Sequence, residues 1–204
     1  MREYNAAQCA AALQAQNNIL ILTHRNPDGD TLGGAFALLR ALLSGGKTAR
    51  VACSDEIPKK YAYMWAGISV SDFTPDYIVA VDIADEKLFG EPLYTGYRGR
   101  VDLCIDHHLS NTRYGDRLFL RECAATCELV YEVLAASHAE ITKEIADCLY
   151  TGLSTDTGCF RYSNTTPHTY RLAADLLEAG ADAAEINRVM FETKTRTYLK
   201  LEEL

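Results

Sequence analysis

Four short apolar runs, at residues 19–22, 48–53, 77–81 and 101–105, constrain the fold of this chain more than any other feature. Most show little apolar–polar alternation, which is the look of strands buried on both faces. After the first run, Leu32, Ala35, Phe36, Leu38, Leu39 and Leu42 recur at helical spacing from Thr31, and Gly45-Gly46 supplies a stop. Strands alternating with helices require a parallel sheet, so the expected class is α/β: a parallel-stranded sheet flanked by helices on both faces. An amphipathic helix over residues 4–16 precedes the first run, and a short helical stretch over 57–66 opens near Pro58. The second half is mostly helical, with candidates at 125–136, 142–153, 167–179 and 183–191. Thr166 as N-cap with Pro167 at the first helical position marks one start, and Gly180 its stop.

Bulk properties exclude several classes of function. At 204 residues and 48% hydrophobic content, the chain has material for one principal domain. No segment reaches the ~18 consecutive apolar residues of a membrane span, and the beginning, MREYNAAQCAAALQAQ, lacks the basic tip and long apolar core of a signal peptide. A cytoplasmic protein with no membrane partner is expected. Seven cysteines, an odd number without a CxxC pair, fit neither a disulfide framework nor a zinc ribbon. Cys104 and Cys148 read as core residues, while Cys123 and Cys127 share a helix face at most as a poor, two-thiol metal site. The net charge of −8 argues against a protein that tracks long duplex nucleic acid. A small anionic substrate stays open if bound divalent cations reverse the local sign.

That condition directs attention to the ends of the runs. His24, Asp28 and Asp30 lie in THRNPDGD, Asp82 in IVAVDIAD, Asp106, His107 and His108 in CIDHHLSN, and Asp156 in GLSTDTGCF, the last expected in the loop after a helix. In open α/β sheets the ligand crevice lies beyond the carboxyl ends of the strands, where such residues can converge. Carboxylate and imidazole donors suit Mn²⁺, with Mg²⁺ the other fit, rather than structural zinc. Two ions ~3.5–4 Å apart need a bridging carboxylate, and Asp82, alone at its strand end, is the natural bridge. Each residue by itself has a plainer account. A lone Asp after a strand caps a helix or forms a turn, Asp28-Gly29 is a turn signal, and GDTLGG lacks the GxGxxG spacing of a dinucleotide fold. His138 and His168 are assigned to helix ends, and Arg113, Arg117 and Arg121 to solvated charge.

In this order, H-x-N-P-D-x-D, an isolated strand-end Asp, D-H-H and D-T-G-x-F resemble the DHH phosphoesterase superfamily. IDHHLSN, ATCELVYEVL, LYTGLSTDTGCFRYSNTTPHT and DLLEAGAD are closest to its bacterial oligoribonuclease and 3'-phosphoadenosine-5'-phosphate (pAp) phosphatase branch, over most of residues 17–191. The resemblance implies that His24 and Asp28 hold one metal, that Asp30, His107 and Asp156 hold the other, and that Asp82 bridges. It implies that Asp106 orients His107 and that His108 donates to the phosphate oxygen gaining charge. The implied activity is Mn²⁺-dependent hydrolysis of short oligoribonucleotides and of the pAp 3'-phosphate by a two-metal hydroxide mechanism. A pyrophosphatase, a cyclic-dinucleotide phosphodiesterase and a nucleotide-binding module without turnover are the alternatives. Residues 1–191 would form the catalytic domain and 192–204 the start of a linker helix. The branch's smaller C-terminal domain, with its glycine-rich motif ending in histidine, has no counterpart here, and the uncapped tail favours truncation over a solitary domain. Gly33-Gly34 stands where the family often has Gly-Ser, a difference expected to alter a minor polar contact. The oligomeric state is left open, a homodimer included.

Overall fold

Side chains of a strand alternate between faces, and here that alternation divides the core in two. The computed structural model describes residues 1–193, so the linker expected over 192–204 lies almost wholly outside the described residues. In chain order the elements are β1 (Arg2–Glu3), α1 (Ala6–Gln14), β2 (Ile19–Leu22), α2 (Gly29–Ser44), β3 (Ala49–Ala52), β4 (Tyr77–Val81), α3 (Leu93–Tyr97), β5 (Leu103–Asp106), β6 (Arg117–Leu120), α4 (Thr126–Ala136), α5 (Lys143–Asp156), α6 (Pro167–Glu178) and α7 (Ala183–Asn187). Short 3-10 stretches cover Lys59–Trp65 and Glu86–Phe89, and a π-helical turn covers Arg188–Glu192. Ile19, Ile21, Val79, Val81, Leu103 and Ile105 join the larger core with α1, α2, α4, α5 and α6. Leu20, Leu22, Ile78, Ala80, Cys104 and Leu118 face a smaller core closed by Phe89, Val101, Tyr94 and Tyr97. Both faces are covered, but unequally: among the described residues the second carries only α3 and the Glu86–Phe89 turn.

All pairings are parallel, in the order β1-β6-β5-β4-β2-β3. The chain steps from β2 outward to β3, then crosses back to β4 on the other side of β2 and continues to β5 and β6. The strand order therefore reverses between β2 and β4, and a crevice opens beyond their carboxyl ends. Two strands escaped the sequence reading. β6 is a four-residue RLFL segment that opens on Arg117 and is followed by Arg121, and two-residue β1 pairs with it at the sheet edge. Short, charge-flanked edge strands carry little periodic signal.

The helix boundaries follow their caps. Asn5 and Gln8 form a reciprocal capping box at α1, and Thr166 with Thr169 does so at α6, with Pro167 in the first turn. Helix α2 begins two residues earlier than its apolar spacing suggests, because Asp28 accepts the N–H groups of Asp30 and Thr31. Helix α5 extends past residue 153, so Asp156 is its last residue rather than part of the following loop. Among the described residues no helix is long and apolar enough to cross a membrane.

Candidate metal centre

The crevice gathers all eight singled-out residues from five segments. His24 follows β2 and donates Nδ1–H to the Arg25 carbonyl at 2.8 Å, which leaves Nε2 to the carboxylates. That nitrogen lies 3.6 Å from Asp28 Oδ1 and 3.8 Å from Asp82 Oδ2. Asp82 follows β4 in the left-handed backbone region, at φ 61°, and its carboxylate is 3% exposed. Asn and Asp tolerate that region better than most residues. Asp30 is fully buried in the first turn of α2, where Oδ2 accepts Thr126 N–H at 2.6 Å and Oδ1 accepts Cys127 N–H at 2.9 Å.

His107 completes a second group. Its Nδ1–H donates to the Cys123 carbonyl at 3.0 Å. Its Nε2 lies 3.5 Å from Asp156 Oδ2, 3.6 Å from Asp82 Oδ1 and 3.9 Å from Asp30 Oδ2. That Nε2 is shut off from solvent and has no hydrogen-bond partner. An unpartnered buried acceptor among carboxylate oxygens is costly unless a cation takes its lone pair. His24, Asp28 and Asp82, and likewise Asp30, His107 and Asp156, bring one donor atom each within 4.8 Å of one another and could hold a metal ion. The same holds for Asp82 with His107 and His108.

The electrostatics agree with that fit. Burial, then the charges of Asp30 and Asp28, push Asp82 up to about 8. Burial with Asp82 and Asp28 pushes Asp156 up to about 8, and burial with Asp156 and Asp28 drives Asp30 well above the carboxylate range. Burial would lower His24, but Asp28 and the Arg25 carbonyl outweigh it and raise the imidazole to about 9. Carboxylates crowded in this way repel one another until positive charge is placed between them.

The DHH segment differs in one respect from the expectation. Asp106 touches His108, not His107: its Oδ1 accepts His108 Nδ1–H at 2.8 Å, while Oδ2 accepts Asn111 Nδ2–H at 2.7 Å. Asp106 ends β5, and the His108 N–H and ring both turn back onto its Oδ1, which leaves His107 to a carbonyl. The His108 side chain is 44% exposed at the crevice mouth. The Asp106 bond, working against burial, raises His108 to about 9.

Other expectations resolve away from the centre. Arg113 pairs with Glu3, Arg117 bonds Tyr4 and the Asp102 carbonyl, and Arg121 pairs with Glu132. His138 follows the end of α4, and His168 opens α6 3.8 Å from Glu132. Cys123 and Cys127 do not share a helix face, because α4 begins at Thr126. Cys104 and Cys148 are buried as expected. At Gly34 the constraint is steric rather than polar: a Cβ would stand 2.8 Å from Val81 Cγ1. Two residues were not assigned a role from the sequence. Thr126 donates its hydroxyl to Asp82 Oδ1 at 2.8 Å, and Asn111 links Asp106 to the Ile83 carbonyl. Asn111 stood within the quoted motif IDHHLSN, whereas nothing local marked Thr126.

A parallel α/β domain with a carboxylate–imidazole cluster at its strand-order reversal defines a class of folds with a candidate metal site, and comparison with known proteins gives the family. Residues 18–153 match the DHH family, N-terminal domain, and the chain belongs to that family. It is 37% identical to the bifunctional oligoribonuclease and PAP phosphatase NrnA of Thermus thermophilus over 85% of this chain and 54% of that protein. It is 25% identical to a protein of Streptococcus equi subsp. equi described as a probable manganese-dependent inorganic pyrophosphatase, over 91% of this chain and 63% of that one. An exopolyphosphatase-related protein from Bacteroides fragilis superposes with a TM-score of 0.86 at 24% identity, covering 97% of this chain and 63% of that one. The chain thus spans about half the length of the NrnA relative it matches.

Proposed function

We propose that this domain is a divalent-cation-dependent phosphoesterase acting on short oligoribonucleotides and on the 3'-phosphate of pAp, in the manner that the name of its NrnA relative describes. The observation carrying this reading is the Asp82 carboxylate, which turns Oδ2 toward His24 and Oδ1 toward His107 and so faces both ligand groups. In this reading His24 and Asp28 hold one cation, Asp30, His107 and Asp156 hold the other, and Asp82 is shared. Mn²⁺ fits the two imidazoles, and Mg²⁺ the carboxylates. When bound, such ions acidify water and neutralise charge on phosphoryl oxygens. His108, half exposed with Nδ1 fixed on Asp106, keeps Nε2–H as a donor for a phosphoryl oxygen that gains charge. Asp106 holds that ring in orientation, and Asn111 holds Asp106. Seven free cysteines suit a reducing cytoplasm.

Purified protein with Mn²⁺ should release mononucleotide from dinucleotides and AMP from pAp. Pyrophosphate and cyclic di-AMP are the controls: cleavage of either one alone would favour the pyrophosphatase or cyclic-dinucleotide reading. Nucleotide binding without product, from this chain and from one extended beyond Leu204, would favour a binding module.

Asn111→Ala is expected to lower kcat about 10–100-fold, the usual effect of removing an outer support, while Mn²⁺ affinity stays within a few fold. Steady-state kinetics beside a binding isotherm separates the two effects. If cation affinity falls as far as kcat, Asn111 supports the whole centre rather than the His108 ring.

The cluster also links cation binding to protons. Asp82 and Asp156, raised to about 8, are largely protonated at neutral pH and must lose those protons to act as ligands. His24, raised to about 9, and Asp30, raised well above the carboxylate range, must lose protons as well, so Mn²⁺ binding at pH 7 should release about two or more protons, and affinity should climb as pH rises through about 8 to 9. Calorimetry in buffers of different ionisation enthalpy measures the release. Without cations, the stability these raised carboxyls contribute is full below the ordinary carboxylate range and lost as pH rises through about 8. The metal-free protein should therefore melt lower at pH 9 than at pH 5, and Mn²⁺ should reverse the trend.

A further inference from the structure

Helix α4 starts without a side-chain cap of its own, because its N-cap residue is Ala125. The missing acceptor comes from another helix: the Asp30 carboxylate, on α2, receives the N–H groups of both Thr126 and Cys127. With its N–H satisfied, Thr126 turns its hydroxyl the other way, onto Asp82 Oδ1 at 2.8 Å, in a position with no solvent exposure. A single residue thus touches carboxylates from two different elements, Asp30 in the first turn of α2 and Asp82 after β4. The torsion about the Cβ–Cγ bond of an aspartate is broad and soft, so something must choose its setting. In the setting seen here, Oδ1 lies 3.6 Å from His107 Nε2 and Oδ2 lies 3.8 Å from His24 Nε2.

We propose that Thr126 is a positioning residue whose hydroxyl fixes the rotation of the Asp82 carboxylate so that one oxygen serves each ligand group. This rests on the two-cation reading above. Removing the hydroxyl frees the carboxylate to rotate and leaves one oxygen without its buried donor, while the Thr126 and Cys127 N–H bonds to Asp30 are backbone bonds that a side-chain change leaves in place. The expected defect is therefore in the shared ligand and not in both groups.

The test is Mn²⁺ binding by calorimetry and electron paramagnetic resonance on the full chain, for wild type, Thr126→Val, Thr126→Ser and Val130→Ala. Valine keeps the shape of threonine without its hydroxyl, and Val130 is a buried core position on the same helix. Thr126→Val should hold one Mn²⁺ near wild-type affinity and bind the second about 10–100-fold more weakly, with the spectrum of paired ions replaced by that of isolated ones. Thr126→Ser should restore both sites, and Val130→Ala should lose thermal stability while keeping the wild-type stoichiometry. Wild type binding two ions alongside a Thr126→Val variant that matches it overturns this inference and leaves the two-cation reading intact. Wild type binding fewer than two ions overturns that reading and this inference together. Should Thr126→Val fail to fold, Thr126→Ala against Thr126→Ser gives the same comparison.

Discussion

Asp82→Asn is expected to lower phosphoester hydrolysis by at least about 100-fold, a floor taken from the loss of mere outer supports around metal ligands, while the domain stays folded. Asp82 is the carboxylate that faces both ligand groups, 3.8 Å from His24 and 3.6 Å from His107. An amide offers one weaker acceptor and no negative charge, so it cannot serve two cations. The backbone should tolerate the change, because asparagine is at home at the φ of 61° that this position adopts. Its Oδ1 can still accept the Thr126 hydroxyl. Removing one of several repelling buried carboxylates should leave the metal-free melting temperature unchanged or raised above pH 8, since Asp82 is among the charges that push Asp156 up. Turnover with Mn²⁺ and thermal melting with and without it check both halves. Activity within tenfold of wild type would remove Asp82 from its proposed role.

Gly152→Ala should damage both stability and the centre. Helices α2 and α5 approach so closely that a Cβ at Gly152 would overlap Cys127 Sγ and stand 2.8 Å from Asp30 Oδ1 and 3.0 Å from Asp30 Cα. Neither neighbour can yield freely: Cys127 is buried in α4, and both Asp30 oxygens are engaged by the start of that helix. Overpacking of this kind costs about 1–3 kcal/mol, or roughly 2–12 °C in melting temperature for a domain of this size. Because Asp30 is the group displaced, Mn²⁺ affinity should fall as well. Gly96→Ala is the control, since a Cβ there meets nothing within 4 Å. Thermal melts and Mn²⁺ titrations of the two variants decide the matter. Equal stability of Gly152→Ala and Gly96→Ala would show that the helices can separate without penalty.

How far the sequence could be read is clearest at particular residues. Runs 19–22 and 77–81 became β2 and β4 with unchanged bounds, since four or five consecutive apolar residues ending at a polar loop admit few other structures. The ligand-type residues at the strand ends were visible because Asp and His interrupt those runs abruptly. Strand β6 was not visible, since RLFL between Asp116 and Arg121 resembles a charged loop until β5 is present to pair with it. The partner of Asp106 was misassigned because adjacency in sequence favoured His107, whereas the chain after β5 folds both the N–H and the ring of His108 back onto Asp106.

Periodicity and residue type therefore determined a parallel sheet with acid and imidazole groups at its strand ends, because both are properties of neighbouring residues in the chain. Only the tertiary structure decided which oxygen of Asp82 faces which histidine, that Thr126 donates to Asp82 across 44 residues of chain, and that Asp30 caps α4 from 96 residues away. Hydrogen bonds between side chains and backbone groups so distant depend on the strand order and on the close approach of α2, α4 and α5. No local pattern encodes either one.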